Sequence, residues 1–285
     1  MLHFWFVVNN ARINQAAASE PPWTGLLEPL NPRSIVLSVL LGSHPPQMSV
    51  HRILGFTSLF DLADGTVRTA LSRMVAAGDL ANDEGTYRLA GRLIERQAQQ
   101  DAGRHDPPVD WDGAWWTVAI VSDRRSMADR RAFRARAIGA RLGELRPDLW
   151  LRPANIAIAT DLPDAVITRG PMISGDEQRL VGHLWDLDGL RERADSHRRA
   201  LDNALTRLDA GDDRSLADAF VTLAAAQQFL RVEPQLPAEL SPDGSGTTLR
   251  SRYARVVGAF QTRLAEFFTR RESAGEPERI STTER

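Results

Sequence analysis

The chain has 285 residues, 25% charged and 42% hydrophobic, with a net charge of -2. That length supports two or three domains with cores of their own, and that balance excludes disordered, fibrous and strongly basic classes. With no cysteine, disulfides and thiolate metal sites are excluded and a cytoplasmic setting is expected.

All the basic residues are arginines, and with a near-neutral total any polyanion binding has to rest on a local patch. Met1 to Val8 is apolar, but it is too short to span a bilayer and has neither a basic n-region nor a small-residue cleavage site. No export and no membrane contact are expected, and residues 1–31 read as a flexible leader.

A first helix is expected from Arg33 to Leu41, preceded by Pro32 and stopped by Gly42. A second runs from about Val50 to Phe60. The third, Asp64 to Gly78, has Val67, Ala70, Leu71, Met74 and Val75 at helical spacing on one side and Thr66, Arg68, Thr69, Ser72 and Arg73 on the other. Asp64 is placed to cap it, and Gly78 suits the left-handed position that ends it. Leu80 to Leu89, with Asn82-Asp83-Glu84-Gly85 in the middle, reads as a hairpin. Three helices and a hairpin in about sixty residues predict a winged helix-turn-helix, in which the third helix enters the DNA groove. Arginine can fork onto guanine or a phosphate, and Ser and Thr bond to either, so Thr66, Arg68, Thr69, Ser72 and Arg73 are the candidate DNA-binding residues. The hairpin counts against this reading, because Asp79, Asp83 and Glu84 would repel phosphates and suit a protein-interaction module better.

Gly91 to Gly103 is expected to be a linking helix, and 104–108 a boundary. Beyond it Trp115 to Val121 has the content of a buried strand. Arg130 to Leu142 is expected as a helix with Phe133, Ala137 and Ile138 inward, followed by strands at Trp150 to Pro153, Asn155 to Ala159 and Ala165 to Thr168. This order suggests a small ferredoxin-like α+β domain over 109–182. From 183 to 270 the chain reads as helices, Leu187 to Leu208, Leu216 to Val232 and Leu249 to Phe268, with an extended loop from Pro234 to Gly246. The tail 271–285 is expected to be disordered. The predicted fold class is α+β: a winged-helix domain over 32–104, a ferredoxin-like centre and a helical C-terminal domain.

Several segments carry a resemblance. Arg33-Ser34 in the first helix, Val67-Arg68-Thr69-Ala70-Leu71-Ser72-Arg73 in the third and Gly78-Asp79-Leu80 beyond it resemble the PaaX-like regulators, the repressor family of phenylacetic acid degradation. Trp111-Asp112-Gly113, Leu149-Trp150-Leu151-Arg152-Pro153 and Glu233-Pro234-Gln235-Leu236-Pro237-Ala238-Glu239-Leu240 are similar to its later signatures, although the family usually has Asp-Pro at Glu233-Pro234. The resemblance implies a dimeric transcriptional repressor of a double-stranded operator, relieved by an aryl-acetyl coenzyme A thioester or related acid. It is not implied to be an enzyme or to carry a cofactor. Arg33 joins the DNA-binding set.

Eight arginines against three acids lie between Asp123 and Arg146. Such a run is ordinarily a solvated helix face. Its functional reading is a rim for the phosphates of a coenzyme A effector, made of Arg124, Arg125, Arg130 and Arg131. The family's middle domain is also similar to small CRISPR-associated nucleases, and this supplies an enzymatic alternative with Asp123 as a magnesium ligand. His183, beside Leu184-Trp185, is expected to be an interior or rim residue.

Overall fold

The computed structural model describes residues 31–105, 110–122, 125–158, 162, 164–173, 175–211, 213–241 and 244–274. The leader, the 106–109 boundary, Asp123, Arg124 and the tail from 275 lie outside them. The architecture is α+β, with two small antiparallel sheets among many helices. The chain forms two compact units, one of Asp101–Arg198 with Ala226–Ser251, the other of Leu27–Gln100, Arg199–Ala225 and Arg252–Arg285 so far as these are described.

The second unit holds the head. Helix α1 (Pro32–Leu41) starts at Asn31, whose side chain accepts from the Ser34 amide, and ends at Gly42. Strand β1 (Gln47–Ser49) leads into α2 (Val50–Thr57) and a 3-10 turn (Ser58–Phe60). Helix α3 (Asp64–Ala76) follows, then β2 (Leu80–Asp83), β3 (Thr86–Leu89) and α4 (Arg92–Arg104). The hairpin turns at Glu84-Gly85, both at positive φ, as a two-residue turn between strands requires. Its sheet has the order β1-β3-β2. The three-residue β1 carries no alternation that could have revealed it.

Two expectations about α3 need correction. Asp64 lies within the first turn, the cap position being Ala63 with no side-chain cap, so its carboxylate acts through the positive helix end. Val75 is 36% exposed, because it sits a step around the helix from the buried line of Val67, Leu71 and Met74. Gly78, at φ 72°, does take the left-handed position beyond the helix.

The head core is Ile35, Leu40, Ile53, Phe56, Leu71 and Met74, all fully or almost fully buried. Burial of each contributes roughly 1.5–3 kcal/mol. Aromatic rings from two further helices join this core. Phe56 meets Phe220 of α8 (Arg214–Val232) edge-on at 4.9 Å, and Phe220 meets Phe260 of α9 (Ser245–Ala274). The last turns of α9 rest on α2: Phe268 lies against Gly55, Arg271 donates to Ser58 and Glu272 pairs with Arg52 at 3.4 Å. Helix therefore continues to Ala274, where the expected tail should already have begun.

The other unit is built on β4 (Ala114–Ile120), β5 (Gly143–Arg146), β6 (Leu149–Pro153) and β7 (Ala165–Pro171), in the antiparallel order β5-β6-β4-β7. Alternation along β4 divides its faces. Val118, with Trp116 and Ile120, packs toward Phe133 and Ala137 of α5 (Met127–Gly139). Trp115 packs toward Val181 of α6 (Glu177–Leu184) and Leu240. Helix α5 starts three residues earlier than expected because Ser126 and Asp129 form a reciprocal capping box. The expected strand at Asn155 to Ala159 is absent among its described residues. Ala154 to Ile156 turn instead, with Asn155 buried in polar contacts, while the β5 strand was missed.

Helix α7 (Leu187–Asp209) brings His197 into this unit, buried against Phe229 with ring centroids 5.2 Å apart. Desolvation, aided by the nearby Arg193 charge, pushes its imidazole down to about 4 from an ordinary 6.5. The folded chain therefore holds it neutral while the unfolded chain takes up a proton as pH falls below 6.5. Stability should drop by roughly 3 kcal/mol between about pH 6.5 and 4. His197→Gln should flatten this part of the profile, whatever it costs at neutral pH. Urea midpoints measured across that range would show it, and an unchanged slope would dismiss His197 as the cause.

Candidate functional site

The outer face of α3 collects five of the candidate residues. Thr66, Arg68, Thr69, Ser72 and Arg73 are all exposed, opposite the buried Val67, Leu71 and Met74. Thr69 and Ser72 donate their hydroxyl protons to the carbonyls of Gly65 and Arg68, at 2.8 and 3.1 Å. Their oxygens therefore face outward as acceptors. Neither Arg68 nor Arg73 forms an ion pair among the described residues. The only acid of α3 is Asp64 in its first turn.

Arg33 is placed differently. Its guanidinium reaches the Asp79 carboxylate at 2.5 Å, and Arg92 approaches the same carboxylate at 3.7 Å. Asp79 is 4% exposed. It stands at the base of the hairpin and ties β2 to the starts of α1 and α4. Only Asp83 and Glu84 remain of the acidic tip, and Asp83 faces Arg88 across the ladder at 3.9 Å.

Of the four arginines expected to form a rim, three are described. Arg124 and Asp123 lie outside the described residues. The Arg125 side chain is only 7% exposed, with its guanidinium 4.8 Å over the Phe133 ring and 3.3 Å from Asp148. Arg130 and Arg131 are exposed on α5. His183 is exposed as well. No group of three or more potential metal-ligating His, Cys, Asp or Glu side chains occurs among the described residues, and no described helix is long and apolar enough to cross a membrane.

A second site is a buried polar node that no single segment of the sequence announces. At the turn that follows α8, Arg152 is fully buried and donates to the carbonyls of Pro153 and Pro234, at 2.9 and 3.2 Å, and to Asn155 Oδ1 at 3.0 Å. Asn155 donates to the Gln235 carbonyl at 2.7 Å. Arg141, held at positive φ, donates to the Gln235 side chain and to the Leu230 carbonyl. Gln235 closes the node by donating to the His105 carbonyl at 2.7 Å. Burial pushes the Arg152 guanidinium down to about 9 and Arg141 to about 10, so both stay charged at neutral pH.

Beside this node lies a cleft of about 210 Å³. Trp111, Leu236 and Pro237 give it an apolar wall, and Asn155, Glu233 and Arg250 polar ground; Gly246 and Thr247, in the first turn of α9, complete it. Arg250 donates to Glu233 at 2.7 Å, and both side chains are largely buried. The signals of this site in the sequence are three of the segments that carry the resemblance, Trp111 to Gly113, Leu149 to Pro153 and Glu233 to Leu240, which the fold brings together from distant positions.

A mostly helical head, joined in one chain to a unit built on a four-stranded antiparallel sheet, defines the class as an α+β protein. Residues 31–93 match the model of the PaaX-like protein, so this part of the chain is similar to PaaX-like proteins. The chain is also similar, at 33% identity and a TM-score of 0.65, to the solved structure of the uncharacterized protein Rv0674 from Mycobacterium tuberculosis, with 84% of this chain and 99% of that one covered. No match was found among curated proteins.

Proposed function

We propose that the protein is a DNA-binding transcriptional repressor, a cytoplasmic homodimer whose hold on a double-stranded operator is relieved by a small effector. Its head acts as a winged helix and α3 as the recognition helix. The observation that carries this reading is the pair Arg68 and Arg73, exposed and without ion-pair partners among the described residues on a helix face they share with the hydroxyls of Thr66, Thr69 and Ser72. The match of residues 31–93 to the PaaX-like model supports a regulator. The burial of Asp79 under Arg33 and Arg92 weakens the interaction-module reading, since that acid is an internal counter-charge.

The test is fluorescence anisotropy of the full chain with a duplex from upstream of its own gene. Binding in preference to a scrambled duplex, weakening with salt, is the expected result. Equal or absent binding to both at low salt would dismiss the reading. The nuclease alternative has no support among the described residues, Asp123 lying outside them.

A further inference from the structure

We propose that Thr69 and Ser72 are residues of α3 that read base identity, each accepting a hydrogen bond from an adenine or cytosine amino group in the major groove. This deepens the regulator reading above and rests on it. At about 100° per residue, the outward line of α3, opposite Val67, Leu71 and Met74, runs through Gly65, Thr69, Ser72 and Ala76. All four are exposed, and none has a side chain longer than that of threonine. Arg68 and Arg73 stand on either side of this line, roughly 140° apart around the axis.

A helix lying in a groove about 12 Å wide has a backbone on each side of it and base edges beneath. Arg68 and Arg73 reach toward the two sides. The short line between them lets the axis come down to the base edges, where longer side chains would hold it off. Gly65 fits such an approach. Its backbone is not left-handed, and a Cβ there would meet nothing within 4 Å among the described residues, so neither strain nor packing within the described chain calls for glycine. Gly139, Gly182 and Gly258 have the same freedom on other helices, so it is the place of Gly65 on this line that counts.

The line presents acceptors. Thr69 and Ser72 give their hydroxyl protons to the carbonyls of Gly65 and Arg68, at 2.8 and 3.1 Å, which leaves lone pairs facing outward. Of the four bases, only adenine and cytosine show amino donors in the major groove. An acceptor at the groove floor therefore separates adenine or cytosine from guanine or thymine on the strand it faces.

Selection of a randomised duplex pool by the full chain, followed by sequencing, tests this. Two positions of a half-site should favour adenine or cytosine over guanine or thymine on the strand that is faced. Ser72→Ala and Thr69→Val should each flatten one of them, lowering its preference roughly two- to tenfold as loss of a neutral hydrogen bond implies, with the other positions kept. Gly65→Leu adds a long side chain where the fold leaves open space, so it should keep the parent's melting temperature and lose most of its duplex affinity. Parent-like base preference in both hydroxyl variants, or parent-like affinity of a folded Gly65→Leu, would overturn the proposal. If the parent selects a motif that the hydroxyl variants share, only this assignment falls; if the parent selects none, the regulator reading falls with it.

Discussion

Replacing Arg152 by alanine is expected to destabilise the chain by about 3–5 kcal/mol. The side chain is fully buried, and its donors serve the Pro153 and Pro234 carbonyls and Asn155. Alanine would leave these acceptors without their partner and open a cavity where a guanidinium and two methylenes had been. Arg152→Met keeps most of the volume and removes a buried charge, so its cost should be smaller, about 1–3 kcal/mol for the acceptors alone. Urea unfolding followed by tryptophan fluorescence suits this measurement, because Trp111, Trp115, Trp116, Trp150 and Trp185 all lie in the unit that holds Arg152. An alanine variant with the parent's midpoint would show that the node does not hold the unit together.

Arg68→Ala and Arg73→Ala should each weaken operator binding by about 1–3 kcal/mol if the side chain reads a base. Neither change should disturb the fold, since both side chains point away from Val67, Leu71 and Met74. Arg33→Ala makes the informative contrast. Its guanidinium is held by Asp79, so its loss should lower head stability more than the affinity of the folded fraction. Salt-matched anisotropy combined with thermal unfolding distinguishes these effects. Parent-like affinity in both α3 variants would remove α3 from the groove.

Much of the head was legible because its signals are local. The 3.6-residue spacing of Val67, Leu71 and Met74, Gly42 and Gly78 as stops, and Glu84-Gly85 as a turn each depend on a few neighbours in sequence. The partners of Asp79 were not legible. An acid next to a hairpin reads as surface until the fold brings Arg33 to it across 46 positions. The same limit hid the polar node, where Arg152 and Pro234 meet across 82 positions. It also turned Asn155 from an expected strand residue into the bridge between Arg152 and Gln235. The arginine-rich stretch was legible only as charge. Charge counts cannot show that Arg125 is spent on Phe133 and Asp148 while Arg134 pairs with Glu144.

The capture of Arg33 and Arg92 by Asp79 also bears on ions in solution. A cation that already neutralises a carboxylate displaces few counterions from a phosphate backbone, so of Arg33, Arg92, Arg68 and Arg73 only the two on α3 remain without an ion pair among the described residues. Each α3 face should then contribute a slope of only about -2 to a plot of log affinity against log salt concentration. A regulator built this way would hold its operator through changes in ionic strength that strip more basic proteins from DNA, leaving release to depend on the ligand more than on the medium.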